Sequence, residues 1–360
     1  GLIPPLLPGS LDSLFVQENS GGLTLVGLEG QPPAGGPAGA VFESFLEFQN
    51  RFDASGGFTG LATLRGPGVN STNNLVIVNR PSGGNLAIFA REGDPIPGTP
   101  PGVLFDNFGD LTANASGQIA FTATQSADDN GDGFPDAVVF LADPVGDFQR
   151  VLAEGQPLPG TPPGLTFGFL QQGLRLNGTG QAVLTVSVDD PNAPLFAPRE
   201  TAIVKLTGSG LGGVARSGTS AETFGAGVSF ERLFEDAVIN DRGQVAFGGQ
   251  IAGAGVNAAN DAVILLESPD GDLNLVAREG DAAPGVNDGA TFGDFSSLIP
   301  GFSLDFPGLL ALNAQGQLAF LAGLDGPAVD GSNDTGLFAI NGDGELQLIV
   351  REGELVAIAD

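Results

Sequence analysis

The sequence lacks five residue types altogether: cysteine, methionine, tryptophan, tyrosine and histidine, so that each of its 26 aromatic residues is phenylalanine. Without cysteine the chain can form no disulfide and has no thiol nucleophile. Without histidine and tyrosine the common general bases are also missing. A pair of carboxylates could still hydrolyse glycosides, but the Trp and Tyr platforms that commonly hold sugars are absent. The sequence therefore predicts a protein that is not an enzyme.

The missing residue types are also those that oxidise most easily. Cysteine and methionine are the standard sites of oxidative damage, so a chain without them suits long exposure outside a cell. Drift within a repeat of low complexity, or a sequence inferred rather than read from a gene, would explain the same absence equally well. The chain begins at Gly1 rather than at methionine, as a processed mature protein would. We therefore expect a secreted protein, extracellular or at the cell surface.

Basic residues are scarce. The chain has 42 acidic residues against 13 basic ones, which gives a formal net charge of −29. Such a charge excludes nucleic acid and anionic membrane surfaces as partners and favours cations. No apolar run approaches the roughly 18 residues that a membrane-spanning helix needs, so we expect no membrane insertion.

What the sequence does contain is a repeat. Six times a short apolar run ends in a glycine that usually follows an acidic residue, as in LAIFAREG and LNLVAREG. The closing glycines are Gly30, Gly93, Gly155, Gly218, Gly280 and Gly353, spaced by 63, 62, 63, 62 and 73 residues. A fixed period of this length indicates stacked units or units arranged in a ring.

Each repeat has the composition of four short strands. A phenylalanine follows each of the first five closing glycines by twelve residues: Phe42, Phe105, Phe167, Phe230 and Phe292. An N-x-x-G turn between two apolar runs then predicts a β-hairpin, and two more β-rich runs follow. Four antiparallel strands per repeat predict an all-β, β-propeller-like fold of five to six four-stranded blades of about 62 residues. A β-solenoid is the rival architecture, although its coils are usually shorter.

The repeat also predicts the domain organisation. Residues 1–13 are rich in proline and should form an N-terminal arm, residues 14–353 a single repeat domain, and residues 354–360 a C-terminal tail. The count gives five complete blades and half of another. Either the two ends complete a shared blade, or a strand edge is left open to another chain.

One loop carries a specific metal-binding pattern. In DDNGDGFPD, residues 128–136, oxygen ligands fall at the spacing that wraps a chain around one Ca²⁺. The predicted ligands are the side chains of Asp128, Asn130, Asp132 and Asp136 and the carbonyl of Phe134. The segment resembles the calcium loops of FG-GAP and integrin-type propeller blades. The alternative is a solvated Asp/Asn turn without an ion.

Two other sets of polar residues recur. The acids before the closing glycines could line a channel that binds cations, or could bind nearby turn N–H groups and arginines instead. These acids are Glu29, Glu92, Glu154, Glu279 and Glu352, and Ser217 replaces the acid in one copy. Four sequons, at Asn70, Asn114, Asn177 and Asn333, are possible sites of N-linked glycans in a secreted protein.

The motif N-x-x-G-x-x-A-F is intact at residues 114–121, 240–247 and 313–320. It resembles a family of secreted bacterial tandem-repeat proteins that usually end in one of several surface anchors, the choice-of-anchor type. The resemblance implies export and a β-repeat fold, and it implies no established activity.

Two functions follow from these patterns. The first is a non-enzymatic structural protein that forms homopolymers: a fibre, sheath or surface-layer subunit stabilised by Ca²⁺. The second is a monomeric β-propeller that binds a ligand or partner through its loops.

Overall fold

The computed structural model describes residues 14–19, 22–46, 51–52, 56–143, 146–159, 161–170, 173–193, 199–208, 210–235, 237–293, 295 and 310–354. These residues form antiparallel β-strands and one short 3₁₀ helix, Glu222–Phe224. The predicted arm and almost all of the predicted tail lie outside the described residues.

The amino-terminal part of the chain holds three sheets. A half-sheet of two strands comes first, with β1 (Leu14–Asn19) and β2 (Gly22–Leu28). Blade 1 follows with β3 (Val41–Phe45), β4 (Arg51–Phe52), β5 (Phe58–Arg65), β6 (Leu75–Arg80) and β7 (Ala87–Arg91). Blade 2 contains β8 (Phe105–Ala113), β9 (Ile119–Gln125), β10 (Ala137–Ala142) and β11 (Phe148–Ala153).

Three more blades follow. Blade 3 contains β12 (Thr166–Leu170), β13 (Arg175–Leu176), β14 (Ala182–Asp189), β15 (Glu200–Thr207) and β16 (Gly210–Arg216). Blade 4 contains β17 (Val228–Leu233), β18 (Val238–Ile239), β19 (Val245–Gly253), β20 (Ala262–Glu267) and β21 (Leu273–Arg278). Blade 5 contains β22 (Thr291–Phe292), β23 (Leu310–Leu312), β24 (Leu318–Asp325), β25 (Thr335–Ile340) and β26 (Leu346–Arg351).

Every blade has the same topology. Four strands pair antiparallel in chain order, and in four of the blades an interrupted first strand supplies the additional short strand. The all-β, propeller-like fold class is thereby confirmed, and the described residues form five four-stranded blades and one half-sheet. The chain divides into two compact units, Gly1–Gly155 and Gln156–Asp360. The first holds the half-sheet and blades 1 and 2, and the second holds blades 3 to 5. The single domain over residues 14–353 stays a prediction.

Within each unit the hydrophobic core lies between successive blades. In the first unit, Leu61 and Ile77 of blade 1 pack in one cluster with Phe105, Phe121 and Phe140 of blade 2. In blade 2 the middle strand β10 reads AVVFLA with little alternation, and five of its six residues are buried. Within each unit, neighbouring blades thus bury their apolar faces against each other, as repeat architectures do.

The phenylalanines that follow the closing glycines are core residues. Phe42, Phe105, Phe167, Phe230 and Phe292 are all buried. The spacing of twelve residues has a backbone cause. Gly93 N donates to Phe105 O at 2.8 Å, and Phe105 N donates to Asp94 O at 3.0 Å. The same pair of hydrogen bonds joins Gly280 and Asp281 to Phe292. Within each unit, hydrogen bonds thus join the end of the fourth strand of one blade to the first strand of the next.

The N-x-x-G turns are confirmed as hairpins. In blade 2, Asn114 Oδ1 accepts hydrogen bonds from the backbone N–H groups of Ser116 and Gln118 at 3.1 and 3.0 Å. Gly117 has a φ of 81°, a left-handed conformation that favours glycine. In the second unit the turns also connect blades. Asn177 Nδ2 donates to Asn240 O at 2.7 Å, and Asn240 Nδ2 donates to Asn313 O at 3.0 Å.

Candidate metal centre

The predicted metal-binding loop joins β9 and β10 of blade 2. Its centre is the carboxylate of Asp128, whose Oδ1 accepts from Gly131 N and Asp132 N at 2.6 and 3.1 Å. Its Oδ2 accepts from Gly133 N at 2.9 Å. Gly133, with a φ of 93°, provides the sharp bend that the sequence predicted. The loop is therefore curled around a carboxylate.

Two further predicted ligands shape the same loop. Asn130 Oδ1 accepts from Asp132 N at 2.9 Å, and Asp132 Oδ1 accepts from Phe134 N at 2.9 Å. A carboxylate or amide oxygen has two acceptor sites, so these hydrogen bonds leave room for a cation. The Phe134 side chain is 71% exposed and lies outside the core.

Asp136 is the buried member of the predicted ligand set. It is 1% exposed, and its Oδ2 accepts from Asp129 N at 2.8 Å and from Gln125 Nε2 at 3.1 Å. Its Oδ1 is buried and has no hydrogen-bond partner. A buried acceptor without a partner carries the full cost of its desolvation, about 1–3 kcal/mol and more for a charged group. A hard cation in the loop would satisfy this oxygen.

Gln125 is a residue that the sequence patterns did not single out. It is fully buried, and its Nε2 donates to Asp129 Oδ2 at 3.0 Å as well as to Asp136. Its Oε1 accepts from Arg150 Nη1 at 3.2 Å, and Arg150 Nη1 also lies 3.5 Å from Asp129 Oδ2. The sequence signal that could have identified it is a glutamine at the end of β9, where the equivalent strands of the other blades have an apolar residue.

The other four blades have no such polar cluster. Backbone pairing at the start of the third strand fixes the equivalent positions. The residues equivalent to Gln125 are Leu64, Val188, Ile251 and Leu324, and all are buried. The residues equivalent to Asp136 are Asn74, Glu200, Asp261 and Asp334, and all are only half-buried. Blade 2 alone therefore combines a buried amide with a buried carboxylate at this edge.

The charge of the cluster favours a cation. Asp128, Asp129, Asp132 and Asp136 lie in or beside the loop, with only Arg150 paired to one of them. Within the described part of the chain, no three His, Cys, Asp or Glu side chains converge to hold a metal by themselves. The predicted set includes three such side chains, those of Asp128, Asp132 and Asp136, and they do not converge in this way. The Asn130 amide and the Phe134 carbonyl are its other two oxygen donors. The orphaned Asp136 Oδ1 and the hard oxygen donors fit a calcium ion.

The repeated carboxylates have local structural contacts. Glu92 Oε2 accepts from Leu75 N at 3.1 Å, and Glu154 Oε2 accepts from Ala137 N at 2.9 Å, in each case at the first residue of a third strand. In blade 5, a hydrogen bond with Asp334, burial and the Asp334 charge raise the pKa of Glu352 above its ordinary 4.5. These contacts favour the local alternative over a channel that binds cations.

A family model places the chain among known sequences. The model described as "Family of unknown function (DUF7453)" matches residues 5–166 and 129–360. The chain belongs to this family. The overlap of the two DUF7453 matches in residues 129–166 agrees with the internal repetition of the sequence. The resemblance to choice-of-anchor proteins stays a prediction.

Solved structures resemble this DUF7453 member at low identity. A GH43 β-1,3-galactosidase bound to galactodeoxynojirimycin is 12% identical, with 83% of this chain and 92% of that chain covered and a TM-score of 0.33. A protein of unknown function from Dyadobacter fermentans is 14% identical, covering 85% and 83%, with a TM-score of 0.38. The periplasmic gluconolactonase of Pseudomonas aeruginosa is 14% identical, covering 79% and 80%, with a TM-score of 0.30. None of the curated proteins compared with the chain matches it.

These similarities correct one prediction from the sequence. The absence of histidine, cysteine and tyrosine predicted a protein that is not an enzyme, and that prediction is wrong, since structurally similar proteins include a glycosidase and a lactonase. The missing side chains exclude only the chemistry that needs them, and carboxylates can catalyse glycoside hydrolysis alone. At these TM-scores the similar structures assign neither substrate nor site residues to this DUF7453 member.

The structure also bears on the membrane and glycan predictions. In the described residues no helix is long and apolar enough to cross a membrane. Asn114 and Asn177 are each 5% exposed, and their Nδ2 atoms donate to Gln118 Oε1 and Gln181 Oε1 at 2.8 and 2.9 Å. An N-linked glycan is attached at that nitrogen, and the glycans at all four sequons stay a prediction.

Proposed function

We propose that the protein is an extracellular, propeller-like structural module that self-associates by β-strand addition and is stabilised by Ca²⁺. The observation that supports self-association is the half-sheet. Gly30 N donates to Phe42 O at 2.8 Å, as the closing glycines of other blades do, so β1 and β2 correspond to the third and fourth strands of a blade. The first and second strands of that blade are the ones to be supplied.

The edge of β1 is the surface at issue. In each complete blade the third strand is paired on both sides, whereas among the described residues β1 pairs only with β2. An unpaired strand edge presents N–H and C=O groups that another chain can bind. The preceding segment contains Pro4, Pro5 and Pro8, which cannot serve as inner-strand residues. A second copy of the chain therefore suits this edge, and a head-to-tail contact that does not close would give a filament.

Calcium is the second part of the proposal. The support is the buried, partnerless Oδ1 of Asp136 beside the curled loop. An ion bound only by the folded loop stabilises the folded state. Calcium outside cells would keep such a module folded where it is exposed.

Truncation tests the assembly. Light scattering would follow the mass of the full chain, of a chain without residues 1–12 and of a chain without residues 1–19 over a wide concentration range. Loss of association only when β1 is removed supports strand addition at β1, and loss with the shorter deletion assigns the contact to the arm. A full chain that stays monomeric at high concentration contradicts self-association. It would favour the alternative, a monomeric module that binds a partner through loops such as the one that exposes Phe134.

A further inference from the structure

Gln125, Asp129, Asp136 and Arg150 form a polar cluster at the loop of residues 126–136. Burying an amide in place of a leucine or isoleucine is unfavourable unless every polar atom is paired. Gln125 meets that condition, because Nε2 donates to Asp129 and Asp136 and Oε1 accepts from Arg150. The packing between blades does not require it, because four other blades use apolar residues at the same position. The amide therefore serves the loop rather than the core.

The contacts of Asp136 indicate what Gln125 does in the loop. Gln125 Nε2 and Asp129 N both donate to Oδ2, and together they fix the orientation of the carboxylate. The other oxygen, Oδ1, is left buried and without a partner. Because Oδ2 also binds the backbone N–H of loop residue Asp129, the carboxylate faces the loop. Gln125 thus orients the Asp136 carboxylate through Oδ2 and leaves Oδ1 available to bind a cation.

Arg150 contacts the same cluster of acidic residues, and its positive charge opposes the binding of a cation. Its guanidinium lies beside Gln125 and 3.5 Å from Asp129 Oδ2, so it neutralises one of the four acids. The equivalent residues of three other blades are the apolar Ile88, Leu275 and Leu348. A fixed positive charge near a cation site weakens binding of the cation by Coulomb repulsion.

We propose that Gln125 is a positioning residue for the calcium site and that Arg150 sets the affinity of that site by opposing the ion. The inference rests on the calcium part of the proposed function. It assigns to two residues outside the loop opposite effects on calcium binding. A cluster with a purely structural role would give both substitutions the same sign.

Two test substitutions each introduce leucine, which other blades have at the equivalent position. Calorimetric titration of the full chain with CaCl₂, after removal of bound metal by a chelator, would compare Gln125→Leu and Arg150→Leu with the unaltered protein. Loss of an outer partner of a ligand typically weakens metal affinity by about 10–100-fold, so Gln125→Leu should weaken binding to that extent. Arg150→Leu should tighten binding by roughly three- to tenfold, because a repulsive charge is removed.

Leu324→Val alters the same strand position in blade 5 and should leave the calcium affinity unchanged. Melting temperatures in chelator show whether either variant damages the metal-free fold. If the unaltered chain binds calcium and Gln125→Leu binds as tightly, or if both variants weaken binding, the inference is overturned and the proposed calcium function stands. A flat titration of the unaltered chain overturns both.

Discussion

The side-chain hydroxyl of Ser217 accepts a hydrogen bond from the backbone N–H of Thr201 at 2.8 Å. This is the contact that Glu92 makes with Leu75 in blade 1. A serine can replace a glutamate here because the position needs an acceptor for one N–H, not a negative charge. The repeated acid before the closing glycine therefore has a structural role, as an acceptor for a backbone N–H.

The serine contact gives a first prediction. Ser217→Ala leaves the buried Thr201 N–H without its acceptor and should lower the free energy of unfolding by about 1–3 kcal/mol. Ser217→Thr keeps a hydroxyl and should lower the free energy of unfolding much less. Urea denaturation of the three proteins measures the difference. Equal stability of the alanine variant and the parent would show that the hydrogen bond contributes nothing net.

The second prediction concerns calcium itself. Asp132→Ala removes one of the proposed ligands from the loop of residues 128–136. If the parent protein shows one calcium site by calorimetry, the variant should show none. In the parent protein, free calcium at about 100 times its Kd should raise the free energy of unfolding by about 2.7 kcal/mol. The matched control is Asp330→Ala in the blade 5 loop, where Asp330, Ser332 and Asp334 repeat the first ligand positions but no acid occupies the ninth. A melting temperature of the parent protein that changes with neither calcium nor chelator would contradict the prediction.

The third prediction concerns the core. Phe105→Ala and Phe292→Ala should each cost about 3–5 kcal/mol, since both rings are buried between blades. Phe105 lies 5.5 Å from Phe140, and Phe292 lies 4.9 Å from Phe338, as measured between ring centroids. Phe134→Ala, at an exposed ring, should change stability by less than about 0.5 kcal/mol in chelator. Chemical denaturation compares the three, and similar losses at all of them would refute the assignment of the anchors.

The fourth prediction is a pH dependence. A hydrogen bond from Arg351 to Asp288, at 2.5 Å, holds the pKa of Asp288 below its ordinary 3.8. Because the pKa is depressed in the folded state, the pair stabilises the protein above pH 3.8, and this contribution disappears as the pH falls through the lowered value. Asp288→Asn should therefore be less stable than the parent at pH 7, and the two should converge in acid. Thermal unfolding between pH 2 and pH 7 measures this, and a difference independent of pH would rule out the ion pair as its cause.

The features that the sequence predicted correctly are local or repeated. The N-x-x-G hairpins depend on Asn114 and Gly117, which lie within one turn, and their signature appears four times in the chain. The buried phenylalanines Phe42, Phe105, Phe230 and Phe292 follow a closing glycine at a constant spacing because the same pair of backbone hydrogen bonds recurs at these four positions. Repetition allowed weak local signals to be read together, and this is why the blade count could be predicted.

What the sequence by itself determined, then, is the blade: its four strands, its turns and its anchor. The tertiary structure alone decided which polar residues are buried and what they contact. Gln125 and Arg150 are 25 residues apart and meet only because strand register brings β9 and β11 to the same side of one loop. Asp136 is buried, whereas its counterpart Asp334 is half-exposed, although both directly precede a third strand. Hydrophobic periodicity reports which faces of a strand are apolar. It does not report which polar atoms remain unpaired after the faces have packed, because that depends on contacts between strands far apart in the chain.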